Sequence, residues 1–314
     1  MRTPTLVSLS LAAALTLTAC GEDAPTFPSS SPASELAKGG TGKGKGKAGD
    51  RIVYTHKFED GSSDIYTMNP DGTNATRLLP FAGYSNWDTR WTPDHNKIVF
   101  VSNRTGASKV FIMNANGTNP VQLTQGGCND RHPAPSPDGT KIAFVRPCAG
   151  GGIFVVNTDG SGLTQVTFLS SDSDPTWLPD GSRIVFADNL SSPTGIYRVK
   201  LDGTDRFPIW SCATSLCLAP MLSPDGTRLA FWSPGDDGKI IILTFSNYGW
   251  LELAHLGLQS YHPPTFSPDG TKLVFTAGPY GSDYDLYSVN AADGYGLTRL
   301  TTMPGADMAP SWHR

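Results

Sequence analysis

The stretch SPDGTKIAF, Ser136 to Phe144, decides the fold because the chain writes it repeatedly. Near-copies stand as TPDHNKIVF from Thr92, LPDGSRIVF from Leu178, SPDGTRLAF from Ser223 and SPDGTKLVF from Ser267. Their turn prolines, at 93, 137, 179, 224 and 268, are spaced by 42 to 45 residues. A fixed period of this length means that one structural unit is repeated.

Each unit reads as four strands. SPDG has the residue preferences of a type I turn, with proline at its second position and glycine free to take positive φ. In the copy at Thr92, His95-Asn96 replace glycine and threonine, and both residue types tolerate positive φ better than most. An apolar run follows each turn (KIVFV, KIAFV, RIVFA, RLAFW, KLVFT) and reads as a strand buried on both faces. The next strand is DIYTMN from Asp64, KVFIMN from Lys109, GIFVVN from Gly152, GIYRVK from Gly195 and DLYSVN from Asp285. It ends in a glycine turn such as NPDGT at Asn69 or NTDGS at Asn157, and a more polar strand leaves, such as TRLL at Thr76. The segment before each SPDG turn, such as DPTW at Asp174, supplies the fourth strand. A four-stranded repeat of about this length is a propeller blade.

The chain stops at APSWHR from Ala309, the kind of segment that elsewhere precedes the SPDG turn, and its regular part begins with RIVYT at Arg51, the kind that follows it. Joined, they complete a repeat. The expected fold is therefore all-β: a six-bladed propeller over residues 51–314, with 310–314 as inner strand of the blade whose other strands lie in 51–79. The fifth blade is the least regular, since KIIILTF at Lys239 runs into SNYGW without the usual turn.

The spelling xPxW-SPDG-x-(K/R)-I-x-F, with the later N-x-D-G turn, resembles the TolB-type, WD40-like propeller repeat over nearly all of residues 51–314. The resemblance covers only the propeller half of TolB, and the α/β domain that TolB carries ahead of its propeller is not expected here. It implies a location in the cell envelope and binding of protein. It does not fix one function, because the same repeat serves peptidase propellers and some lyases.

The first residues differ in kind. Met1-Arg2 is followed by an uncharged apolar stretch from Leu6 to Leu17, too short to span a bilayer and fitting an export signal. Leu17-Thr18-Ala19-Cys20 resembles a bacterial lipobox, which makes residues 1–19 a signal peptide and Cys20 the lipidated first residue; an ordinary secretory signal with an incidental cysteine is the alternative. Several acyl chains anchor stably where one does not. Residues 20–50, rich in Ser, Pro, Gly and Lys, read as a tether. The expectation is a protein exported and anchored to the membrane through its N-terminal lipid, on the periplasmic side or at the cell surface. A formal charge of −4 gives no reason to expect nucleic acid, and KGKGK at Lys43 to Lys47 lies within the tether.

Strand alternation puts the SPDG and N-x-D-G turns at one end of the propeller, here called the turn end. The other end, the loop end, takes the irregular loops, including FAGYSNWD at Phe81, GGCNDRH at Gly126, LQSYH at Leu258 and GPYGSDYD at Gly278. Variable loops on a rigid scaffold are where binding usually sits. Cys128, Cys148, Cys212 and Cys217 also fall there and are expected to form disulfides, with zinc as the competing reading. Asp71, Asp159, Asp202 and Asp293 sit in Asp-Gly turns and read as turn residues rather than calcium ligands.

Asp88, His132, Asp174 and His262 each stand at the start of an inner strand, where they face the channel mouth as a hydrated polar rim or as a working cluster. No G-x-S-x-G, H-E-x-x-H or phosphate loop occurs, and no catalytic residue is assigned. The leading expectation is a monomeric, non-catalytic propeller that binds an envelope protein or peptide. Its binding residues are Tyr84, Trp87, Asp88, His132, Asp174, Tyr261, His262 and Tyr280, since interface energy concentrates in aromatics. No cofactor is expected. The alternatives are a polysaccharide lyase or hydrolase-like enzyme using a divalent metal held by the His/Asp rim, and a receptor for a saccharide or other small ligand in the channel.

Overall fold

A computed structural model describes residues 49–79, 83–148, 150–191, 193–212, 216–234, 238–246, 249–253, 262–278 and 283–313. The lipobox with Cys20, most of the tether, Tyr261 and Tyr280 lie outside the described residues. Among the described residues the strands form six four-stranded antiparallel sheets and no helix. Inner strands touch their neighbours around a closed ring. Blade one takes its inner strand from the chain end: Ala306–His313 pairs with Arg51–Lys57, which pairs with Ser63–Met68 and then Thr76–Arg77. This is the expected closure, with the strand starting at Ala306 rather than 310. Blades two to six follow in chain order, with inner strands Asn86–Trp91, Arg131–Pro135, Asp172–Trp177, Leu218–Leu222 and Thr265–Phe266. Closure leaves no unpaired inner edge.

The turns form as their spelling requires. In SPDG the Gly139 N–H donates to the Ser136 carbonyl at 2.9 Å, and the Ser136 hydroxyl donates to Asp138 Oδ1 at 2.5 Å. Asp138 Oδ1 also accepts the Thr140 N–H at 3.0 Å. His95 takes the glycine place with φ 59° and donates its N–H to the Thr92 carbonyl. Asp71, Asp159, Asp202 and Asp293 each accept the N–H two residues on, at 2.9 to 3.0 Å, as turn residues do. The N-x-D-G glycine has a second role. A Cβ on Gly117, which has φ 84°, would lie 2.4 Å from the carbonyl oxygen of Leu78 in the preceding blade. Only glycine permits that approach.

The core lies between blades, and this explains why the second strands have two apolar faces. Val53 and Ile65 of blade one pack with Trp91, Ile98 and Phe100 of blade two. Similar clusters join blades two and three, three and four, four and five, five and six, and six and one. Phe100, Phe144, Phe186, Phe231 and Phe275 repeat at one position of the unit and are almost completely buried. Burying each such side chain contributes about 1.5–3 kcal/mol. Blade five keeps its outer hairpin without an Asp-Gly turn, with the Thr244 N–H donating to the Gly249 carbonyl at 2.7 Å.

Candidate functional site

Five inner strands carry the same bulge near the loop end. In blade two the register slips between Trp87 and Arg90, so Asp88 and Thr89 together oppose Phe100. Equivalent slips occur at His132, Asp174, Ala219 and Ala309. These five residues have φ from 51° to 55°, the left-handed region. Bulges re-aim side chains, and here they turn equivalent residues of successive blades toward one another. Alanines adopt the geometry too, so it belongs to the repeat; the side chain placed on it is what varies. The sixth equivalent is Pro263. Its ring excludes positive φ, and blade six has a two-residue inner strand, Thr265–Phe266. His262 precedes this position instead of occupying it, a difference from the sequence expectation that the four rim residues are equivalent.

Asp88, His132 and Asp174 interlock across blades two, three and four. Asp88 Oδ2 accepts the backbone N–H of His132 at 3.1 Å and lies 3.9 Å from its Nε2. His132 Nδ1 is ion-paired with Asp174 Oδ1 at 2.9 Å. Burial alone would depress the His132 pKa, but Asp174 and then Asp88 outweigh it and hold it above the ordinary 6.5. Burial alone would raise Asp174, but the charge and hydrogen bond of His132, with help from Ser173 and the Ala219 N–H, bring it to about 2. His262 goes the other way: burial holds it below 6.5 against the attraction of Asp88 and Asp174. Burial also lowers Arg90, which donates from Nη1 to the Thr89 carbonyl at 2.8 Å, while Asp88 and Asp174 oppose that shift. One imidazolium is thus clamped between two carboxylates, with a neutral imidazole and a guanidinium close by. Among the described residues, no three His, Cys, Asp or Glu side chains are arranged to hold a metal ion.

A second polar tier lies two residues before the bulge. Asn86, Asp130, Asp172 and Asp307 have no exposed surface. Asn86 donates to Asp64 of blade one at 2.9 Å and accepts from Arg104 at 2.9 Å. Asp130 accepts two hydrogen bonds from Arg146 at 2.7 and 2.8 Å, with Lys109 of blade two at 3.6 Å. Arg206 reaches Asp172 and Asp188, and His56 meets Asp307 at 2.7 Å. The loops do not single these residues out. The signal is an Asp or Asn two positions before the bulge, in NWD, DRHP, DSDP and DMAP.

Of the other expected residues, Trp87 is half-buried, and Tyr84 is half-buried under Arg104, whose guanidinium carbon lies 4.6 Å from its ring centre. Trp87, Asp88 and His262 line a cavity of about 330 Å³ between blades one and two. All four loop-end cysteines are disulfide-bonded, Cys128 to Cys148 with Cα atoms 5.9 Å apart and Cys212 to Cys217 at 6.1 Å.

Comparison with known proteins agrees with this architecture. The family model for the TolB beta propeller domain matches residues 47–213. The protein TolB homolog of Chlorobium luteolum is 33% identical over 139 residues, 44% of this chain and 31% of that relative. The matched stretch therefore spans about a third of that relative's length. Crystalline TolB from Acinetobacter baumannii superposes with a TM-score of 0.74 at 21% identity, over 85% of this chain and 67% of that one. An oligogalacturonate lyase in complex with manganese superposes at 0.55 with 16% identity, over 79% of this chain and 78% of that one. At these identities the two structures share the fold alone. With the family model covering more than half of its residues, this chain belongs to the TolB beta-propeller domain family.

Proposed function

We propose that this propeller is a non-catalytic binding module of the bacterial envelope, lipid-anchored through Cys20, that captures a protein or peptide on its loop end. The observation that carries this reading is the inequality of the two ends. The turn end presents aspartates whose acceptors are used within their own turns. The loop end gathers both disulfides, the ionisable cluster, the cavity and half-buried Trp87. Disulfides that limit loop freedom also reduce the entropy lost on binding. They persist in oxidising compartments, which fits an exported chain. The TolB relatives point to the envelope, and aromatic side chains on a rigid rim are the usual anchors of protein interfaces.

Crosslinking capture from membranes of cells making the intact protein tests the reading, beside a Cys20→Ala variant. The expected result is a specific protein crosslinked to loop-end residues, and a mature chain that begins with a lipid-modified Cys20 and loses the lipid in the variant. An unmodified mature chain starting elsewhere would remove the anchor. Crosslinks confined to the turn end would remove the binding face.

A further inference from the structure

The cavity between blades one and two exists because the ring position of blade one is Ala309. Next to Asp88 it offers only a methyl group, and the space that a longer side chain would fill stays open. Its volume of about 330 Å³ lies within the range of small-molecule sites. Trp87 supplies an aromatic wall and Met308 a second apolar surface, while Thr55, Ser63, Ser85 and Asn103 supply hydroxyl and amide groups. Thr55 is 1% exposed, and its Oγ1 lacks a hydrogen-bond partner although it lines the cavity. Buried hydroxyls are normally paired, so this one points to a polar group that the fold does not supply.

The wall chemistry selects the ligand class. Asp88 and Lys57 stand in the same wall and oppose each other, so neither an anion nor a cation is favoured by net charge. An apolar ligand would leave Thr55, Ser63 and Asn103 unpaired. A pyranose ring meets each requirement: its C–H face packs against an indole, and its hydroxyls both donate and accept. We propose that this cavity is a saccharide subsite taking one neutral pyranose residue, with Trp87 as the stacking wall and Thr55 as a buried hydrogen-bonding partner. The site does not depend on capture of a protein elsewhere on the loop end.

Saturation-transfer NMR on the whole propeller tests it, with methyl β-glucopyranoside, N-acetylglucosamine and galacturonic acid as probes and lysine amide as the comparator. Transfer to the ring C–H protons of at least one neutral pyranose is expected. Trp87→Ala should weaken binding at least tenfold, whereas Trp250→Ala on the outer strand of blade five should leave it unchanged. Thr55→Val should weaken binding about threefold with a thermal midpoint equal to or above the parent, an outcome that a merely structural threonine does not give. If Trp87→Ala fails to fold, Asn103→Ala at an exposed wall position takes its place. Absence of transfer to both neutral sugars, equal binding by parent and folded variants, or binding of lysine amide or galacturonic acid alone would overturn the proposal.

Discussion

Aspartate is used at both ends of this propeller, in opposite ways. At the turn end Asp138 accepts from Ser136 and Thr140, its neighbours in the same turn. At the loop end Asp88 accepts from the backbone of His132, in the next blade and 44 residues away. Likewise Asp174 reaches back to His132 of the blade before and accepts from Ala219 of the blade after. The turn-end groups are satisfied locally and repeat with little variation. The loop-end groups exist as a cluster only because the ring brings separate blades together. Local satisfaction makes a scaffold, whereas satisfaction across blades makes a site whose geometry depends on the whole fold.

The comparison predicts first that the loop end cannot outlive the ring. Deleting residues 306–313 removes the inner strand of blade one. The thermal midpoint should fall by at least roughly 10 °C or the cooperative transition should vanish, since each kcal/mol shifts a domain of this size by about 2–4 °C. An unchanged midpoint in a calorimetric scan would contradict ring closure.

Glycines of the turn end should divide by whether they touch another blade. Gly117→Ala combines positive φ with a clash against Leu78, and a loss of about 3 kcal/mol is expected in urea unfolding. Gly139→Ala keeps the positive φ but meets nothing within 4 Å, and the loss should be about 1 kcal/mol. Equal losses would remove the blade-packing role assigned to the N-x-D-G turn.

Disulfides belong to the loop end and should act on the unfolded chain in proportion to the loop they close. Cys128→Ser with Cys148→Ser opens a separation of 20 residues, and loop-closure entropy gives about 3 kcal/mol. The separation between Cys212 and Cys217 is 5, for about 2 kcal/mol. Urea midpoints of the two double variants check the order.

The architecture was legible because turn chemistry and strand period agree at every level: SPDG, the two-faced apolar run and the N-x-D-G turn recur in register. The rim was legible in part. Asp88, His132 and Asp174 stand out as polar residues opening inner strands, but their mutual pairing depends on a bulge that leaves no spelling of its own. His262 looks equivalent to them until Pro263 is seen to hold the ring position. The cavity was not legible, since it follows from the smallness of Ala309, and a missing side chain signals nothing until the ring register is known. Arg90 escaped notice because alternation alone does not place it near Asp88 and Asp174.

Smallest in size should be the pH dependence of the rim. His132 has a raised folded pKa, so its contribution is fully present below the ordinary 6.5 and is lost as pH rises through the raised value. Asp174 has a folded pKa of about 2, so its contribution is present above the ordinary 3.8 and is lost as pH falls toward 2. His262 is depressed, so its contribution is present above 6.5 and is lost as pH falls. Each should amount to no more than about 1 kcal/mol, as for half-exposed pairs. Urea unfolding of the parent and of the single variants His132→Asn and His262→Asn, between about pH 5 and about pH 9, separates them. His132→Asn should remove the alkaline loss and His262→Asn the acidic one; the opposite assignment would reverse the electrostatics given to the rim.

The most direct test of the central claim is crosslinking capture of the envelope partner by folded variants of the two ends, measured side by side. Trp87→Ala should weaken capture by about 2 kcal/mol, as expected of an interface anchor. Asp138→Asn and Asp225→Asn at the turn end should leave it unchanged. Loss of capture in the turn-end variants with full capture by Trp87→Ala would contradict the account and place the working surface at the other end of the propeller.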